Sequence, residues 1–306
     1  MFAKVILASK PTNGAPPIIT IHARYPRIIH GEVMTHRVFS RNARSSRAVP
    51  VTTMLQEICE TPFVPWHWGK NQKGMQASEE CNEMVKFRND AVSREAAWLR
   101  ARDNALTLAE NFAKAGYHKQ VVNRLIEPFS WIDTLITSTN WANFFHLRDH
   151  PDAEPHFRDL AQLIKAEIND ATFGLIDPGQ WHLPYVTPRE LFTGDLETCQ
   201  RLSVARCARI SYKPFDGDGS IKKELERYEL LVGSEPLHAS PAEHQATPDT
   251  KSHYERLLIE CNKEELLNSG PNWDNPHLSG NLNPGWIQFR KTLTGEFVRA
   301  ECEPRT

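Results

Sequence analysis

Residues 34–50 read MTHRVFSRNARSSRAVP. Four arginines (Arg37, Arg41, Arg44, Arg47), one histidine (His36) and three serines (Ser40, Ser45, Ser46) fall between positions 36 and 47. The whole 306-residue chain carries a formal net charge of only −2. A guanidinium fork pairs bidentately with phosphate oxygens, and hydroxyls and loop amides complete such sites. Ser45 and Arg47 are two positions apart, so one turn of a loop could aim both at the same phosphate. Composition alone leaves an exposed, solvated basic loop open as the alternative.

On either side of this stretch the chain reads as an ordinary soluble one. Residues 17–23, PIITIHA, alternate and are β-branched, which predicts a strand. Residues 26–36 place Ile28, Ile29 and Val33 at helical spacing, and the cluster follows as a loop. Residues 50–75 contain Pro, Trp and Gly and read as loop. Residues 77–115 read as one long helix stopped at Gly116. Helices are predicted over 118–127, 129–147, 153–168, 195–209 and 221–232. The proline-rich DPGQWHLPYVTPRE (177–190) is the best candidate for a joint.

A pI near 6.7 argues against a long nucleic acid as partner, since that needs an extended basic surface. No CxxC pairing or zinc spacing occurs among Cys59, Cys81, Cys199, Cys207, Cys261 and Cys302. MFAKVILASK at the start has too short an apolar run for a secretory signal, and no stretch approaches membrane-spanning length. Reduced thiols and a cytoplasmic location are the expectation. His238 and His244 lack a third ligand at suitable spacing, so no metal is expected. PWHWGK (65–70) reads either as a stacking surface or as a loop tucking its tryptophans into the core.

The pattern His36-Arg37-x-x-Ser40-x-Asn42-x-x-Ser45-x-Arg47 resembles the signature of the flavin-dependent thymidylate synthases. That signature reads Arg-His-Arg, seven residues, Ser, and an Arg two later. HKQVVNRLIEP (118–128) and NFFHLRDHPDAEPHFRDLA (143–161) resemble the family's later helices. ARISY (208–212) and HASPAEH (238–244) resemble two segments that precede the signature in the family but follow it here. GWIQFRK (285–291) echoes the family's Gln-x-x-Arg run. The resemblance therefore implies a circular permutation, with residues 1–186 carrying the signature and 187–306 completing the same domain. Its implied fold is α+β, an antiparallel sheet packed with a helical bundle.

The family transfers a one-carbon unit from methylenetetrahydrofolate to C5 of dUMP. Reduced FAD supplies hydride and NADPH is the usual reductant. The resemblance places Ser45 and Arg47 on the nucleotide phosphate, with Arg124, Arg148 and Gln288 also at the nucleotide. Arg148 lies nearest the pyrimidine and is the catalytic candidate. It places His36, Arg37, Asn42, Asn143, Ser211, His238, Ser240 and Glu243 at the flavin. It also implies a homotetramer with active sites shared between chains. Three positions depart from the pattern: Thr35 for Arg, Ala43 for Glu, and Glu32 for Gln. Arg44, Arg290 or Gln288 are the candidates to substitute. The departures leave two further readings open: an enzyme acting on another pyrimidine nucleotide such as dCMP, or leaving a hydroxymethyl group, and an inactive nucleotide- or RNA-binding protein on the same scaffold.

Overall fold

A computed structural model of the chain describes residues 1–211, 219–251 and 273–297. Its first strand, β1 (Phe2–Pro11), turns back into β2 (Ile18–Pro26). A 3-10 turn and the one-turn helix α1 (His30–Val33) lead to β3 (Ser40–Ala43), and α2 (Val51–Glu60) follows. A hairpin of β4 (Val85–Phe87) and β5 (Asp90–Val92) precedes the long α3 (Arg94–Lys114). Then come α4 (Lys119–Val122), β6 (Trp131–Ser138), α5 (Ala142–Arg148), α6 (Pro155–Asn169) and β7 (Gly174–Ile176). The helices α7 (Pro188–Thr193), α8 (Leu196–Ala208) and α9 (Ile221–Val232) precede a small ladder of β8 (Ala246–Pro248) and β9 (Trp286–Gln288).

The architecture is α+β. The main sheet has the order β3-β6-β2-β1-β7. It is mixed rather than wholly antiparallel, because the short edge strand β7 runs parallel to β1. Ile19, Ile21, Tyr25, Ile132 and Ile136 from β2 and β6 meet Phe157, Leu160 and Ile164 of α6 in the main core. The amphipathic α6 starts sharply: Pro155 sits in its first turn and the Glu154 carboxylate caps Phe157 N–H at 2.7 Å.

Several expected elements differ. Residues 129–147 are a central strand followed by a short helix, not one helix. Trp131–Ser138 hydrogen-bonds to β2 on one side and β3 on the other, which suits Ile132, Thr134, Ile136 and Thr137 with their stiff χ1 angles. Of 77–115, only Arg94–Lys114 is helical; Ser93 caps it by accepting from Ala96 N–H. Residues 51–60, read as loop, form α2, whose Met54 and Ile58 lie one turn apart and bury against Ala109 and Val122. Residues 26–36 make only a 3-10 turn and a single helical turn. The basic cluster is not all loop, since Ser40–Ala43 pairs with β6. Residues 118–127 hold one α-turn continued by a 3-10 turn. In the PWHWGK stretch, Trp66 stays 40% exposed but packs edge-on to His156 and stacks with Trp131.

The later segments dock onto the sheet. Trp286 is fully buried against Ile18 and donates its indole N–H to Pro16 O at 2.9 Å. Gln288 is 1% exposed and spends its amide N–H groups on Asn281 Oδ1, Glu243 O and Ser40 Oγ at 2.8, 3.0 and 3.2 Å. Gly280, at φ +63°, leaves the room for this: a Cβ there would lie 2.2 Å from Gln288 Oε1. Gly280→Ala should therefore destabilise the fold by ~1–3 kcal/mol through backbone strain and displacement of a bonded amide. Chemical denaturation would read this directly, and an unchanged midpoint would contradict the packing described.

A buried polar chain crosses the sheet. Ser9 Oγ lies 2.8 Å from His182 Nδ1, and His182 Nε2 lies 2.8 Å from Thr20 Oγ1. Thr20 meets Thr137 at 2.6 Å, and Thr137 meets His244 Nδ1 at 2.8 Å. Burial pushes both imidazoles down to about 3 and holds them neutral.

Candidate functional site

The four arginines of the cluster have different fates. Arg41 is folded inward, donating to the carbonyls of Met34 and His36 at 2.8 and 3.0 Å and so closing the end of α1. Arg44 forms a bidentate pair with Glu57 of α2, both bonds at 2.8 Å, so it is engaged rather than free to substitute at the site. Arg37 and Arg47 are exposed, and neither side chain has a partner among the described residues. Two of the four charges therefore build the fold, and two point to solvent.

The loop after β3 is a turn in which Ala48 N–H donates to Ser45 O at 3.0 Å. Ser45 and Arg47 face outward, while Ser46 and Val49 are buried. Arg47 N–H reaches Ser45 Oγ at 3.3 Å, so the two outward residues lie on one short arc. Ser45 and Arg47 line a cavity of about 390 Å³ with Asn42, His118, Gln120, His238 and Ser240. That volume lies in the range of ~300–1,000 Å³ usual for small-molecule sites. His238 and Ser240 arrive from a segment roughly 190 positions away. Ser240 opens a 3-10 turn (Ser240–Glu243), which packs beside β3, and Asn42 Nδ2 donates to Cys207 O at 2.7 Å across the same seam.

Arg124 does not line this cavity. It borders a neighbouring cleft of about 490 Å³ with Gln120, Val121 and Leu125, and Arg47 is common to both. Arg148, at the end of α5, donates its Nε–H to His36 Nε2 at 2.9 Å and an Nη2–H to Thr35 Oγ1 at 3.3 Å. Its guanidinium sits 5.0 Å above the Phe157 ring. Burial, with Arg148 and Arg41 nearby, pushes His36 down to about 4, which keeps Nε2 available as an acceptor. Thr35, in place of an arginine, thus accepts a bond where a second guanidinium would repel.

Other expected residues are engaged or apart. Glu243 is ion-paired with Arg290, which also binds Glu296 at 3.0 Å; burial raises the Glu243 carboxyl while Arg290 opposes the rise. Gln288 is buried at the seam described above and not in the cavity wall. Asn143 is exposed on α5, and the Ser211 side chain lies outside the described residues. His118 and Gln120 line the cavity but were not singled out in the sequence. His118 precedes α4 as its cap, accepting from Gln120 N–H at 3.3 Å, and a histidine is a weak signal for that position.

Among the described residues no cluster of three or more His, Cys, Asp or Glu could hold a metal ion. Cys59, Cys81, Cys199 and Cys207 are free thiols, whereas Cys261 and Cys302 lie outside the described residues. No described helix is long and apolar enough to cross a membrane.

No protein-family model matches the chain, and no curated protein does. Among solved structures the chain is similar to the UMP/dUMP methylase PolB from Streptomyces cacaoi bound with 5-Br dUMP. Identity is 16% and the TM-score 0.34, over 50% of this chain and 65% of that one. The same methylase bound with 5-Br UMP gives 13% identity and a TM-score of 0.32, over 49% and 67%. The chain thus spans just under two thirds of the first.

Proposed function

We propose that this chain is a flavin-dependent enzyme that transfers a one-carbon unit from methylenetetrahydrofolate to C5 of a pyrimidine nucleotide, dUMP first. One observation carries the reading. The signature loop (Asn42, Ser45, Arg47) and the distant 238–241 segment, which the family resemblance assigns to one site, line one cavity of suitable size. In this reading Ser45 and Arg47 bind the phosphate. Arg148, held by His36 and Thr35, keeps its remaining N–H groups for the carbonyl edge of the pyrimidine. There it stabilises negative charge as electrons enter the ring.

The residues fit a flavin in part. Among the described residues the side chains of Arg37, His238 and Ser240 make no hydrogen bond or ion pair with protein and could hold it. Asn42, His36 and Glu243 are engaged with Cys207 O, Arg148 and Arg290. When bound, a reduced flavin would supply hydride, with NADPH as reductant. The permuted order of segments and a homotetramer with shared sites belong to the same proposal. A light-scattering mass of one 35.0 kDa chain would sink the tetramer.

Arg148 already spends two donors on Thr35 and His36, which favours a second reading: the same chemistry on another pyrimidine, such as dCMP, or a hydroxymethyl product. Tritium release from C5-labelled dUMP and dCMP, assayed in parallel with FAD, NADPH and methylenetetrahydrofolate, tests both. Folate-dependent release from dUMP by a yellow protein is the expected result. Release from dCMP alone would move the protein to the second reading. A colourless protein releasing neither label would overturn both.

A further inference from the structure

The phosphate assignment leaves open what holds the Ser45–Arg47 arc in shape. A surface loop loses much of its binding energy to ordering unless it is held in advance. Here the inner side of the loop is anchored, and the anchors come largely from one segment, residues 119–127. Asn123 is fully buried, and its Nδ2 donates to Ser46 O at 2.8 Å and to Val49 O at 2.9 Å. These carbonyls bracket Arg47. Lys119 Nζ donates to Ala48 O at 3.2 Å between them. Ser46 Oγ donates to Glu127 Oε1 at 2.5 Å, and Glu127 is itself fixed by Arg27 at 3.0 Å.

Asn123 Oδ1 is buried with no hydrogen-bond partner. An unsatisfied buried acceptor is a cost, and the amide is kept in spite of it. Its polar use here is the double donation to the loop. Asp would place oxygens against both carbonyls, and Ala would release them.

We propose that Asn123 is a positioning residue, which sets the spacing of Ser45 and Arg47 for a phosphate by clamping the two carbonyls on either side of Arg47. The clamp rests on the phosphate reading of this loop. It acts on the phosphate and not on the nucleoside, because its hydrogen bonds go to the Ser46 and Val49 carbonyls and none goes to Arg148, the residue this reading places at the pyrimidine.

The test is the ratio of affinities for dUMP and deoxyuridine, measured by equilibrium competition on the full-length protein. Asn123→Ala should lower that ratio about tenfold while deoxyuridine affinity holds. A merely structural loss would weaken both ligands together and leave the ratio unchanged, and that result in a folded variant overturns the proposal. If Asn123→Ala does not fold, Ser46→Ala removes an independent inner anchor without changing charge. It should lower the ratio about threefold, and an unchanged ratio there overturns the proposal equally. Arg47→Ala separates the two levels. If it too leaves the ratio unchanged, the phosphate reading has failed and the clamp falls with it. If it alone lowers the ratio, the loop binds phosphate and only the clamp is wrong.

Discussion

Acidifying the protein from pH 6.5 to pH 4.5 should cost it a large part of its folding stability, because two imzidazoles cannot take up protons without leaving the core. His182 and His244 are fully buried, and desolvation holds both at about 3, with His244 further lowering the affinity of His182 for a proton. In the unfolded chain both return to an ordinary value near 6.5. Between those limits the unfolded state binds more protons, so stability rises with pH there and is fully present above about 6.5. Each imidazole contributes a slope of ~1.4 kcal/mol per pH unit, or ~2–3 kcal/mol over this window. The sum is a substantial fraction of the 5–15 kcal/mol typical of a domain. Half-buried His30 and buried His36, both lowered to about 4, act in the same direction. Paired carboxylates such as Glu190, held near 2 by Arg206, lose their contribution only below about 4.5, and among the described residues only the raised Glu243 carboxyl works against the histidines above it, so the histidines dominate the upper window. Urea denaturation at half-unit steps of pH checks this. A flat profile between 6.5 and 4.5 would contradict the neutral, buried chain.

Arg47→Ala should weaken nucleotide binding by ~1.5–3 kcal/mol, about tenfold to a hundredfold, as expected for a charge-assisted hydrogen bond. The fold should be untouched, since Arg47 is exposed and its side chain has no partner among the described residues. Arg44→Ala makes the contrast. It lies three positions away but is bound to Glu57 at 2.8 Å through both forks, 20% exposed against 38%. Its loss should lower the melting temperature and change nucleotide affinity far less. Titration calorimetry with dUMP on both variants distinguishes a ligand arginine from a structural one. Equal affinity of the wild type and a folded Arg47→Ala would remove the phosphate from this loop. The same pair run at two salt concentrations should show the Arg47 increment shrinking as salt rises, because the site is open to solvent.

Elements with strong local signals were legible in the sequence. Ile221–Val232 starts at the Ser220 cap and follows helical spacing, and Pro155–Asn169 begins at Glu154-Pro155. The strand at Ile18–Pro26 shows in its β-branched run. Elements defined by their neighbours were not. Trp131–Ser138 is a strand because β2 and β3 flank it, and a short apolar run beside a helical one does not declare its period. The cluster's residue types, a serine and arginines on one turn, were equally plain in one dimension. Which arginines stay free depends on Glu57 and on the carbonyls of residues 34 and 36, and whether residues 42–47 meet 238–241 depends on how α8 and the 240–243 turn pack against β3. Backbone propensity and side-chain chemistry act within a few residues and were determined by the sequence by itself. The availability of a charge and the closure of a site come from desolvation and pairing between distant segments, and only the tertiary structure decides those.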